Sequence, residues 1–121
     1  MSYLTLYAPR RPASVGPVRP GTRVDEKTLL NRPRFDGGAH VRVFVEDTSG
    51  QRVRRHRLPS PRLKLRIADC ESAIHLEFSV DSPDIRKNSL HKIDTLIASL
   101  ERFRSGLQAE AELRIERENR R

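Results

Sequence analysis

From His40 to Val80 apolar and polar side chains alternate. Period-two spacing therefore gathers the aliphatic residues on one face and Arg42, Arg52, Arg54, Arg62, Lys64 and Arg66 on the other. A helix would scatter both sets around its circumference, so the pattern restricts this stretch to strands. A rigid sheet with a dense cationic face must turn that face to water, to phosphate or to an acidic partner.

The turns can be read between the alternating runs. Val41, Val43 and Val45 alternate with Arg42, Phe44 and Glu46, and Asp47-Thr48-Ser49-Gly50 then offers hairpin-turn chemistry. A second strand is expected over 52–58, after which Pro59 and Pro61 interrupt pairing. Leu63, Leu65 and Ile67 define a third strand, and residues 69–72 supply a polar turn. Ile74, Leu76, Phe78 and Val80 define a fourth. The expected fold class is α+β: a four-stranded antiparallel β-meander packed by one long C-terminal helix and preceded by an extended arm rich in Pro and Arg.

That helix is announced by Ser82-Pro83, because serine caps free amides and proline is tolerated at the first helical position. Asn88 or Ser89 offers a later start. Leu90, Ile93, Leu96, Ile97, Leu100, Phe103 and Leu107 recur three and four apart, a stripe suited to the apolar face of the sheet or to the seam of a homo-oligomer. Gly106 is a point where the helix can end or bend. Residues 108–121 read as a charged helical extension, and the folded unit as residues 40–107.

Residues 1–39 hold five of the eight prolines and four of the six glycines, with seven basic residues against three acidic ones. Half of the net charge of +8 lies there. Proline removes backbone donors and favours extended chain, so this segment reads as a basic arm that orders on a partner. Within it Tyr3, Leu4, Leu6 and Tyr7 suit strand addition to another sheet edge.

Arginine supplies 20 of the 24 basic residues, which favours bidentate contacts to phosphate or carboxylate. The lone Cys70 permits no intramolecular disulfide, and no apolar run reaches the length of a membrane span, so a soluble cytoplasmic protein with no membrane partner is expected. The four histidines have no zinc-type spacing. There is no nucleophile elbow, phosphate-cradling glycine loop or apolar-set carboxylate pair. Neither an enzyme, a cofactor nor a metal site is indicated.

Two binding functions follow. The favoured one is a small non-enzymatic nucleic-acid-binding module in which Arg42, Arg54, Arg62, Lys64 and Arg66 contact phosphates and Phe44 stacks on a base. The alternative is a phage-type structural, assembly or inhibitor protein that binds protein partners through Tyr3, Leu4, Leu6 and Tyr7. The order of four strands and then a helix resembles, in topology alone, one half of the single-strand-binding PUR-type or Whirly-type modules; no residues are carried over from either.

Overall fold

The computed structural model describes residues 20–120. Its sheet has four antiparallel strands in sequence order: β1 (Thr22–Leu29), β2 (His40–Glu46), β3 (Leu63–Asp69) and β4 (Ser72–Leu76). With the C-terminal helix α1 (Pro83–Asn119) the class is α+β.

The meander is the expected one with a different first member. Residues 52–58, expected as its second strand, stay out of the sheet, and their one strand-like pairing is Arg54 with Arg57. Arginine occupies both parities of this segment. Its apolar residues Val53 and Leu58 are 57% and 76% exposed, so it has no apolar face whose burial could hold it on β2. The place beside β2 belongs instead to β1, which comes from the segment read as an extended arm. Thr22, Val24, Glu26 and Thr28 alternate there as the half-buried face. The fourth strand also ends early, at Leu76. The residues expected to add a strand elsewhere, Tyr3, Leu4, Leu6 and Tyr7, lie outside the described residues.

The register sorts side chains onto two faces, since directly paired residues share a face. One face carries Val24 with Val45 and Leu63, Val43 with Leu65 and Leu76, and Val41 with Ile67 and Ile74. These aliphatic residues are half-buried, apart from the exposed Ile74. The other face aligns Lys27 with Arg42, Arg66 and His75, and Asp25 with Phe44 and Lys64. Fully buried hydrophobic side chains are few: among the described residues only Ala39 and Ala68 qualify.

Helix α1 begins where Ser82 and Pro83 predict. The Ile85 amide donates to Ser82 Oγ at 3.2 Å, and the Arg86 amide closes the first turn on the Ser82 carbonyl at 2.9 Å. It runs through Gly106 to Asn119, a length of about 55 Å at about 1.5 Å per residue. Side chains four apart sustain the distal half: Arg104 donates to Gln108, Gln108 donates to Glu112, and Arg114 and Arg120 pair with Glu118 and Glu116. No residue of α1 is buried, and Leu90, Ile97, Leu100, Phe103 and Leu107 are between 43% and 69% exposed. No helix among the described residues is long and apolar enough to cross a membrane.

Candidate nucleic-acid interface

Between β2 and β3 the chain makes an excursion over residues 47–62 whose ends are tied together. The Glu46 amide donates to the Arg62 carbonyl at 2.9 Å, and the Arg62 amide donates to Glu46 Oε1 at 2.9 Å. The chain does turn after β2, with the Ser49 amide donating to Asp47 Oδ1 and the Gln51 amide to the Thr48 carbonyl, both at 2.9 Å, but not as the expected hairpin turn: Gly50 is not at positive φ and no strand returns from it to pair with β2. Ser49's amide and then its hydroxyl hold the Asp47 carboxyl below its usual pKa against opposing desolvation, with Arg23 adding a smaller attraction.

The excursion then folds on itself as a small hairpin. Arg57 N donates to the Arg54 carbonyl at 2.9 Å, Arg54 N donates back at 3.3 Å, and Arg55 and His56 form the two-residue tip with φ of 50° and 62°. Two consecutive residues with positive φ are the signature of a type I′ turn, whose twist matches the flanking strands and which ordinarily employs Asn and Gly. Here two bulky side chains take those positions.

Arg52, Arg54, Arg55 and Arg57 are all exposed, and none makes a side-chain hydrogen bond or ion pair among the described residues. An open cleft of about 950 Å³ lies against these four arginines and Leu58. A second, of about 770 Å³, is lined by Val53, His56 and Pro59 among others. The hairpin therefore stands with space on both sides.

The sheet arginines differ. Arg42 Nη2 donates to Asp25 Oδ1 at 3.0 Å, and Arg23 Nη2 donates to Asp47 Oδ1 at 3.1 Å. Arg62 faces Glu46 at 3.6 Å, and its guanidinium carbon lies 5.4 Å from the centroid of the Phe44 ring. That cation–π contact covers the one aromatic ring of the cationic sheet face, which a base would otherwise stack on. Arg66 is half-buried with an unpartnered Nε, and its Nη1 lies 3.4 Å from His40 Nε2. His40 Nδ1 is 2.9 Å from the Gly38 carbonyl, so a ring donating from Nδ1 and accepting at Nε2 satisfies both contacts.

Of the residues expected to form the interface, Arg42, Phe44, Lys64 and Arg66 therefore share one face, as the alternation implies, while Arg54 stands apart on the hairpin. Lys64 is exposed and unpaired among the described residues; Arg42 and Arg62 are engaged by carboxylates. The alternation overlooked Arg55 and Arg57 because they fall on the opposite parity. Their sequence signal is density: four arginines in the six residues 52–57.

Among the described residues no group of three His, Cys, Asp or Glu stands where it could hold a metal ion. Cys70 is exposed at the β3–β4 turn, with its thiol donating to Asp36 Oδ2 at 3.2 Å. This hydrogen bond and the charges of Asp36 and Asp69 push the thiol pKa up from its usual value, away from the reactive thiolate. No protein-family model matches the chain, and no match to it is found among curated proteins or solved structures.

Proposed function

We propose that this protein is a non-enzymatic nucleic-acid-binding module that meets phosphate chiefly through the arginine hairpin at residues 51–58, with Lys64 as an accessory contact. One observation carries the reading. The four hairpin guanidiniums are exposed and unpaired, whereas Arg23, Arg42 and Arg62 are matched to carboxylates. Bringing four like charges within six residues has an unfavourable self-energy, which a polyanion relieves and which solvent alone relieves less. Arginine also gives phosphate the bidentate geometry that lysine lacks.

Arg42 and Arg62 then act mainly to hold the sheet, and Arg66 to support His40. This differs from a stacking platform, because Phe44 lies under Arg62. The assembly reading, centred on Tyr3, Leu4, Leu6 and Tyr7, is the rival, and the same experiment separates the two.

The test is electrophoretic mobility shift over a salt series, comparing two triple variants of equal charge. Arg52→Gln/Arg54→Gln/Arg57→Gln is expected to weaken binding strongly and to flatten the plot of log K against log salt by about 0.9 for each lost phosphate contact. Arg23→Gln/Arg42→Gln/Arg62→Gln removes as much charge from arginines already paired, and should cost far less. Equal losses would reduce the interaction to net charge. Binding that survives both variants and disappears on deletion of residues 1–19, which leaves β1 in place, would move the nucleic-acid contact from the hairpin to the N-terminal segment; absence of any shift would favour the assembly reading.

A further inference from the structure

We infer that the hairpin is a groove-reading ribbon whose preferred ligand is B-form duplex DNA, entered from the major groove by Arg55 and His56. The inference rests on the nucleic-acid reading above and narrows its ligand. Dimensions are the first support. Two strands about 5 Å apart, with side chains on either side, fit a groove about 12 Å wide and overfill one of about 6 Å. From Val53 to Arg55 the backbone rises by two residues, about 7 Å, and a long side chain at the tip adds the remaining depth of a groove about 8.5 Å deep. The major groove of A-form RNA is too narrow for such a ribbon to enter.

The second support is that, among the described residues, no exposed Phe or Tyr ring lines the hairpin's clefts. Sequence-tolerant single-strand binding depends on exposed aromatic rings along a basic track. Phe44 is covered by Arg62. The remaining exposed ring of the 10–86 unit, Phe35, lies in the β1–β2 connection, away from the hairpin's clefts.

The tip chemistry is the third. Pairing of Arg54 with Arg57 puts these two on one face of the ribbon, with Arg52 on the same parity, beside the larger cleft. These three are placed for the phosphates of one groove wall. Arg55 and His56 occupy the turn itself, with positive φ at both; Arg55 lines the larger cleft together with Arg52, Arg54 and Arg57, and His56 lines the second. Arg55 in this position can donate two parallel hydrogen bonds to guanine O6 and N7, the acceptor pair that only the major groove displays, and His56 can donate to a neighbouring acceptor.

The experiment uses the full chain with fluorescein-labelled guanine-containing duplex DNA, duplex RNA of the same sequence and each DNA single strand, read by anisotropy. Dimethyl sulfate protection of guanine N7 is measured in parallel on the duplex DNA. Duplex DNA is expected to bind about tenfold tighter than the other probes, with guanine N7 protected. The Arg55→Asn/His56→Gly variant keeps the turn while removing its side chains. It should lose this preference and the protection, retaining most of the salt dependence. Circular dichroism confirms that the variant is folded, and protection in the unsubstituted protein gives an answer without any variant. Equal binding to all probes with N7 unprotected, or tighter binding to a single strand or duplex RNA, overturns the groove inference and leaves nucleic-acid binding standing. Absence of binding to every probe overturns both.

Discussion

A residue with positive φ brings its Cβ toward the backbone carbonyl, at a cost of about 1–2 kcal/mol for most side chains. Arg55 and His56 carry this cost side by side, with Arg57 N to Arg54 O as the hydrogen bond that closes the turn. Replacing them by Asn and Gly should slow hydrogen exchange at the Arg57 amide by about tenfold, the equivalent of relieving ~1.4 kcal/mol of strain. Stability and binding thus move in opposite directions at one site. A second residue-scale outcome concerns the Asp36–Cys70 contact. The Asp36 carboxyl is held below the usual range first by the Gly38 amide at 2.9 Å and then by the Cys70 thiol. A depressed carboxylate contributes stability that is present above the ordinary aspartate pKa of 3.8 and is lost as pH falls through the lower native value. The thiol acts in the opposite sense: with its pKa raised, the contribution of its bond to Asp36 is lost as pH rises into the alkaline range where Cys70 ionises. Asp36→Asn removes the charge that raises the Cys70 pKa, so alkylation of the thiol by iodoacetamide at mildly alkaline pH should become faster. An unchanged rate would mean that the contact does not persist in solution. Face membership of Arg42, Phe44, Lys64 and Arg66 follows from alternation in the sequence. Which arginines are free does not, because the partners of Arg23 and Arg42 are chosen by the bulge and register of β1.

At the scale of elements, local signals served where they acted alone. Ser82-Pro83 sets the start of α1, as the amide of Ile85 on Ser82 Oγ shows. Ser82→Ala should destabilise the helix by about 1 kcal/mol. Gly106 was the other candidate boundary, yet the helix passes through it, supported beyond it by the chain of side-chain bonds from Arg104 to Glu112. A Cβ built at Gly106 meets nothing within 4 Å. Gly106→Ala should therefore stabilise α1 by about 1 kcal/mol and raise its helical ellipticity. A fall in ellipticity would show that Gly106 has a contact partner in solution. The two misread strands failed for a shared reason. Strand 22–29 sits between Pro20-Gly21 and Pro33, whose breaker chemistry dominates the composition of its surroundings although Thr22, Val24 and Thr28 alternate within it. Segment 52–58 lies inside the alternating stretch, but a two-residue reversal at Arg55–His56 turns it back on itself before it can reach β2.

For the molecule as a whole, the scarcity of buried side chains sets the terms. With only Ala39 and Ala68 as buried hydrophobic residues among those described, the folded state has little apolar burial to offset chain entropy. A ligand that binds the native hairpin alone should add visibly to so small a margin. Duplex DNA at about 100 times its dissociation constant is expected to contribute about 2.7 kcal/mol and to raise the melting temperature measured by circular dichroism. The hairpin triple variant should lose most of that rise at the same DNA concentration. Three of the four strands and the long C-terminal helix were legible because they depend on periodicity; β1 and the free cationic hairpin were not, because which segment pairs with β2 depends on what the sheet accepts and rejects. The placement of β1 has a further effect on how copies of this protein behave when concentrated. Among the described residues no strand pairs with its outer border, and Glu26 stands on the aliphatic face opposite Val43 while Arg23, Asp25 and Lys27 occupy the other. A chain that tried to extend the sheet across this border would have to strip water from a carboxylate among valines, so fibrillar growth is opposed at the strand most exposed to it.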